Sequence, residues 1–468
     1  MTETPIKVRP FRPAARAIAL ATACAVGFAA GPAQAQAKGP PIIRDAEIEQ
    51  LLREYTQPIL RAAGLTQQNI QVVIINDRSF NAFVMDGRRI FINSGALTEA
   101  TTPNQVIGVL AHETGHIAGG HLARLREQLA AAQTQMILAM LLGVGAMVAG
   151  ARASPGSGLS QAGAAAIVGP QESIRRSLLA YQRSQEEQAD RAGVKFLTAI
   201  GQSAKGMYET FKRLADQTLF AARGTDPYVQ SHPMPAERVA ALQEIARTSP
   251  YWDKKDPPEL QARHDMMRAK IIGFMEQPGS VVRRYPLSDT SLPARYARAI
   301  STYRHADIRS ALAQIDALIQ IQPNNPYFYE LKGQALLEGG RAAEAIAPLR
   351  RAVQLAPHPA LIQIMLGQAL VATNDSKVAE EAISLLRAAL VKEPESPEGY
   401  AQLAMAYGRK GDLAQADLAA AQAAFMRGDN KTARELATRA KMRFPIGSPG
   451  WVKADDIVTV KQPTAKRN

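Results

Sequence analysis

Cysteine occurs once in the 468 residues, at Cys24. One thiol cannot close an internal bridge, so a disulfide-stapled scaffold is excluded. Aromatic residues are scarce at 6%, with two tryptophans, and there are only seven histidines. Any close-set group of histidines is therefore informative. Long apolar runs are also missing. Ala17 to Ala30 and residues 136–151 fall short of the roughly 20 residues that a spanning helix needs, and the mean hydropathy is −0.15, which argues against a multi-span membrane protein. What is present is ordinary globular material, 46% hydrophobic and 21% charged, and that excludes a mostly disordered chain. The length suggests two or three domains. The net charge is +13, from 55 Lys and Arg against 42 Asp and Glu. Such a balance suits a solvated basic surface or an anionic membrane face. No nucleic-acid module is legible, so nucleic acid is not expected as a partner.

The first 16 residues carry Lys7, Arg9, Arg12 and Arg16 against Glu3 alone. The apolar run Ala17–Ala30 follows, then small residues at alternating positions up to Ala37. This is the layout of a secretory signal peptide, with cleavage expected after Ala37. Removal of residues 1–37 would leave a net charge of +10 and no cysteine. An extracytoplasmic location follows from this reading.

Residues 44–62 have helical spacing of Ile48, Leu51, Leu52, Tyr55, Ile59 and Leu60. Two β-like runs come next, Ile70–Ile75 and Arg89–Asn93, the second after an Asp86-Gly87 turn signal. A helix opens near Thr102-Pro103 and runs to His116. The uncharged apolar run 136–151 has two readings: a buried helix of the core, or a hairpin that dips into or lies on a bilayer. From Pro293 the texture becomes Ala-rich helix with Pro at intervals. Pro323 and Pro357 are 34 residues apart, with Tyr329, Gly333, Leu336, Gly340, Ala345, Leu349 and Ala352 between them. That is the tetratricopeptide pattern of paired helices. A degenerate unit precedes it over 293–323, the next unit carries a three-residue insertion near Asn374, and a helix over 413–427 is shared by two units. Pro348 falls inside a helix, where a kink is expected. The expected division is signal peptide 1–37, a first domain 38–250, helical linker 251–292, repeats 293–445 and tail 446–468. The expected fold is mainly α, an α+β domain followed by an α-solenoid.

His-Glu-Thr-Gly-His at 112–116 carries the chemistry. On a helix His112 and His116 share a face one turn apart, as two imidazoles need to grip one Zn²⁺. Glu113 lies beside that face, placed to take a proton from water activated by the metal. Gly115 lowers helix propensity and suggests a close approach. Zinc wants a third protein ligand. His121 is one residue, about 100° of helix, away from the register that a third histidine on this helix would need. Glu186 and Asp190 share a face of a later helix. There Glu186 can ligate while Asp190 accepts from the free ring nitrogen of a ligating histidine.

His112 to His121 (HETGHIAGGH), Arg183 to Asp190 (RSQEEQAD) and Ser231-His232-Pro233 with Arg238 resemble the membrane-associated gluzincins, which include the CAAX prenyl endopeptidases and the HtpX heat-shock proteases. Asn81-Ala82-Phe83 and Arg89 to Gly95 are similar to that family's strand before the catalytic helix. The resemblance covers about residues 44–245 and implies that the domain 38–250 is a zincin-type α+β metalloprotease domain. It implies one Zn²⁺ per chain on His112, His116 and Glu186, with Glu113 as general base and Gln188 standing where the family often has a second Glu. It also implies that His232 lies near the metal, as an oxyanion donor or as a fourth ligand. For a periplasmic member bearing repeats, it implies a protease and chaperone of outer-membrane quality control. Its partners would be unfolded or misassembled outer-membrane proteins and the β-barrel assembly machinery. Two other functions compete: a tetratricopeptide scaffold with little proteolysis, and a membrane-embedded protease of lipidated substrates.

Overall fold

A computed structural model describes residues 41–152, 159–220 and 227–460. The signal-peptide reading of 1–37 falls outside the described residues. A short strand β1 (Ile42–Ile43) leads into helix α1 (Ala46–Ala62). Asp45 caps α1 by accepting from the Ile48 amide at 2.9 Å, satisfying one of the free N–H groups of the first turn. The predicted apolar stripe from Ile48 to Leu60 is the buried face of α1.

Strands β2 (Gln71–Ile75), β3 (Ala82–Asp86) and β4 (Arg89–Asn93) complete a four-stranded sheet of order β1-β2-β4-β3. β2 and β4 run parallel, with Val73 opposite Phe91. β3 and β4 form the hairpin that the Asp86-Gly87 turn announces. Helix α2 (Ser94–Glu99), too short to leave a period in the sequence, precedes α3 (Pro103–Ala118). Pro103 sits in the first turn of α3, where its missing N–H costs little.

Two long helices follow, α4 (His121–Arg152) and α5 (Leu159–Ala199), and they pack on each other. The run 136–151 lies in α4, and three of its side chains, Ile137, Leu138 and Met140, are exposed. No helix among the described residues is long and apolar enough to cross a membrane. Helices α6 (Lys205–Phe220), α7 (Pro227–Ser231) and α8 (Ala236–Arg247) close the first core around α3.

Helix α9 (Pro258–Met275) does more than connect. Its Met267 and Ile271 are buried in the first core, while Met266, Ala269 and Ile272 are buried in a second one with Tyr296, Ile300 and Phe328. It is therefore a splint shared by two cores. After α10 (Pro278–Arg284) come α11 (Leu292–His305), α12 (Ile308–Ile321), α13 (Pro326–Glu338), α14 (Ala342–Leu355) and α15 (Ala360–Ala372). They continue as α16 (Ala379–Lys392), α17 (Pro397–Lys410), α18 (Leu413–Met426), α19 (Asn430–Arg443) and α20 (Pro449–Thr459). From α11 on, each helix packs on the next. Small and bulky residues at the tetratricopeptide positions, Ala345, Leu349 and Ala352, are fully buried. The insertion near Asn374 is a 3₁₀ turn, Ser376–Val378. α18 packs on both α17 and α19. α14 runs on through Pro348. The stretch read as a tail contains α20, whose Ala454 is buried with Leu418 and Ala440.

Candidate metal centre

α3 brings its Val106, Val109 and Leu110 to the core and, one turn later, buries His112 and Glu113 completely. α5 crosses it at close range. A Cβ on Gly115 would stand 2.7 Å from the Ala189 carbonyl oxygen, so the glycine that is costly to a helix is what lets the two helices touch. On α5 the residues facing this contact are Gln185, Glu186, Ala189 and Asp190, all buried. The i, i+4 spacing of Glu186 and Asp190 thus aims both carboxylates at the histidine pair.

The third contributor is the segment after α7. The His232 amide donates to the Tyr228 carbonyl at 2.7 Å, and the two rings stack with centroids 4.5 Å apart. The His232 ring is thereby turned inward. One ligand-type atom from each of His112, His116, Glu186 and His232 lies within 4.8 Å of the others. His112 Nε2 is 3.1 Å from His116 Nε2, 3.3 Å from His232 Nδ1 and 3.4 Å from Glu186 Oε2. Glu186 Oε1 is 3.3 Å from His116 Nε2, and its Oε2 is 3.0 Å from His232 Nδ1.

A ring of support surrounds these donors. His112 Nδ1 sits 2.9 Å from Asp190 Oδ1, an ionic contact rather than a well-aligned hydrogen bond. Arg238 donates to both oxygens of Asp190, at 2.7 and 2.9 Å, and approaches Glu186 Oε2 at 2.8 Å. It also donates to the Pro233 carbonyl at 2.9 Å, tying the His232 segment to α5. Arg238 was legible in the sequence only as a member of a motif, not as the counter-charge for two carboxylates on a distant helix. His121 does not join the four donors; it is buried with its Nδ1 3.0 Å from His116 Nδ1.

Charge in this pocket is strongly redistributed. Burial alone would lower the His112 imidazole, but Asp190 and Glu186 outweigh it and push it up to about 9. Burial and the neighbouring imidazoles push His116 down to about 3, so it is a neutral nitrogen donor. Burial would raise Glu186 and Asp190, yet His232, His112 and Arg238 hold both below the usual carboxylate range. Burial pushes the Glu113 carboxyl up. Both Glu113 oxygens and His232 Nε2 are buried without a hydrogen-bond partner among the described residues, and they are 3.5 Å apart at closest. Three imidazoles and a carboxylate converging on one point, beside an orphaned carboxylate, fit a divalent cation and a proton acceptor next to it.

Residues 43–246 match Peptidase family M48, and residues 296–358 match Tetratricopeptide repeat. The chain is thus a metalloprotease, with an M48 peptidase region followed by tetratricopeptide repeats. Similar proteins include the "Beta-barrel assembly-enhancing protease" of Yersinia pestis, 25% identical over 417 residues, covering 87% of this chain and 82% of that protein. The protein of the same name from Escherichia coli (strain K12) is 24% identical over 419 residues, with the same coverage. Both alignments run through the M48 region and the repeats together, so the likeness extends to the joining of the two parts.

Proposed function

We propose that this M48 chain is a zinc endopeptidase of the periplasm, acting on outer-membrane β-barrel precursors and degrading those that fail to assemble. The convergence of His112, His116 and Glu186 beside the partnerless Glu113 carries this reading. Zinc is the ion that a His₂Glu donor set suits, and when bound it would polarise the scissile carbonyl and acidify water. Glu113 then takes a proton from the attacking water and passes it to the leaving amine. Asp190 fixes the His112 tautomer through Nδ1, and Arg238 keeps Asp190 and Glu186 ionised. His232 Nδ1 lies among the other donors and could hold the ion as a further ligand, a resting state from which the ring would have to swing away before substrate enters. In that open state its ring, still near Glu113, can donate to the developing oxyanion.

The outer edge of β3 ends the sheet next to α3, where an extended peptide could pair as an added strand. The repeats offer a helical surface suited to holding partly folded polypeptide. The names of the relatives support β-barrel precursors as clients and the assembly machinery as a partner. The periplasm rests on the reading of residues 1–37. Ile137, Leu138 and Met140 are the side chains through which a bilayer surface would be touched. We keep the division at 38–250, 251–292 and 293–445, supported by the way the cores change over along α9.

The test is metal content paired with casein degradation, for the native chain, Glu113→Gln and His232→Ala. One zinc per native chain is expected. Glu113→Gln should keep the metal and lose about 10²–10⁴-fold in turnover, the usual weight of a general base. His232→Ala should keep the metal and change the rate. A Glu113→Gln chain that degrades casein as fast as the native one would overturn Glu113 as the base, and a native chain that degrades no casein would leave only the scaffold reading.

A further inference from the structure

His121 lies outside the four converging donors, yet it is almost wholly buried, at 3% exposed. Its place is made by two glycines. α3 ends at Ala118, Gly120 takes a positive φ of 62°, and α4 starts afresh at His121. The break turns the imidazole back over the last turn of α3. A Cβ on Gly119 would stand 2.2 Å from His121 Nε2, so the ring lies flat against a backbone that only glycine leaves open. The His121 carbonyl accepts from the Gln185 side chain at 3.2 Å, fixing this turn to the same helix that carries Glu186. The ring meets His116 edge-on, with centroids 5.0 Å apart and planes at 83°, and the two Nδ1 atoms are 3.0 Å apart.

A neutral imidazole has one N–H and one lone pair. His116 turns Nε2 toward His112 and Glu186, so a lone pair directed there leaves the hydrogen on Nδ1. That N–H faces His121 Nδ1. We infer that His121 is a positioning residue for the metal centre: it accepts the His116 Nδ1–H and so fixes the tautomer and tilt with which His116 presents Nε2. Asp190 stands at the same place behind His112. The two ligating imidazoles of one helix are thus backed differently, one by a carboxylate and the other by a neutral ring. A carboxylate behind each would add a second anion beside Glu186. The neutral ring supplies direction without charge. This inference rests on the reading of His112, His116 and Glu186 as ligands.

The experiment uses the full chain. His121→Leu removes the acceptor at similar volume, His121→Asn returns an oxygen acceptor near the Nδ1 position, and Gly119→Ala drives the ring off its seat without deleting it. The readouts are Zn²⁺ affinity by chelator competition, the visible spectrum of the Co²⁺-loaded protein, and the melting temperature of the metal-free form. Supporting contacts of this kind are worth about 10–100-fold in metal affinity. His121→Leu and Gly119→Ala should lose affinity in that range and shift the Co²⁺ bands, with metal-free melting near native, and His121→Asn should recover most of the loss. Native affinity and an unshifted spectrum in either His121→Leu or Gly119→Ala would overturn the inference. So would a His121→Asn chain no better than His121→Leu. If His121→Leu does not fold, Gly119→Ala and His121→Asn decide by the same criteria. A native chain that takes up no stoichiometric zinc would instead defeat the underlying reading of the ligands.

Discussion

Around Lys270 on α9, three carboxylates gather in the interior: Asp45 at 2.7 Å, Glu47 at 3.2 Å and Glu330 at 3.7 Å. Around His112 a similar density of ionisable groups gathers, but it is built from rings whose lone pairs face one another. The first cluster carries its own cation on a flexible stem. The second has one fixed cation, Arg238, set to the side against Asp190 and Glu186, and its centre is made of donors. The cluster at Lys270 joins α1, α9 and α13, with Tyr296 of α11 donating to Glu47 at 2.9 Å, so it ties the protease core to the first repeats. Two polar clusters of similar density thus serve different ends. The one with a lysine at its centre is complete as a joint. The one with imidazoles at its centre offers a set of donors that could hold a metal ion.

The largest effect that would break this comparison comes from removing each cation in turn. Lys270→Met takes the cation from Asp45, Glu47 and Glu330, and a broken buried ion pair costs about 3–5 kcal/mol. The deficit should be the same with and without EDTA, because no external ion belongs there. Arg238→Met should also destabilise, but a bound metal still neutralises Glu186, so its deficit should grow when EDTA is added. Thermal denaturation of the native chain and the two variants, with zinc and with EDTA, checks both. Equal metal sensitivity of the two deficits would erase the distinction drawn between the clusters.

Acidity sharpens it next. Burial pushes the Glu330 carboxyl up to about 8, against the pull of Lys270. The folded protein therefore holds a proton there that the unfolded chain releases near its ordinary value of 4.5. Between those limits the folded state binds more protons than the unfolded one, so stability falls as pH rises, by at most about 1.4 kcal/mol per pH unit. The contribution is fully present below 4.5 and lost as pH passes through about 8. Glu330→Gln should flatten this slope and leave the variant more stable than the native chain at pH 8, by urea unfolding at pH 5, 6.5 and 8. A slope unchanged by the substitution would assign the titration to another group, Glu47 first, since burial raises it too.

The contrast also explains what the residues alone disclosed. His112, His116, Glu186 and Asp190 were legible because each pair lies four apart on one helix, and helical geometry turns that spacing into a shared face. The tetratricopeptide units were legible through a 34-residue recurrence. The run 136–151 left two readings open, since periodicity cannot tell a buried apolar helix from an exposed one. Helix α2 and strand β1 are short and carry too few residues to show a period. The Lys270 cluster had no signature. Lys270, Glu47 and Glu330 each read as an ordinary charge on an amphipathic helix, and only the packing of three helices from distant parts of the chain makes them one group. Arg238 was hidden for the same reason, and so was His121, whose meaning lies in a glycine break that folds its ring back on its own neighbour.

The smallest expected effect concerns the outer seam of the same joint. Arg44 bridges Glu49 at 2.7 Å and Glu393 of the turn after α16 at 2.9 Å, and its side chain is 41% exposed. Next to it Ala46 is buried with Ala352 and Ile362 of the repeats. Solvent screens the ion pair but not the apolar contact, so Arg44→Ala should cost no more than about 1 kcal/mol and less in high salt. Ala46→Asp places a carboxylate where apolar side chains meet and should cost several times more at any salt concentration. Urea unfolding of both variants at low and high salt measures this. A larger and salt-sensitive loss for Arg44→Ala would mean that the protease core and the repeats are held at this seam by charge, and the weight assigned to packing along α1 and to Lys270 behind it would have to be reduced.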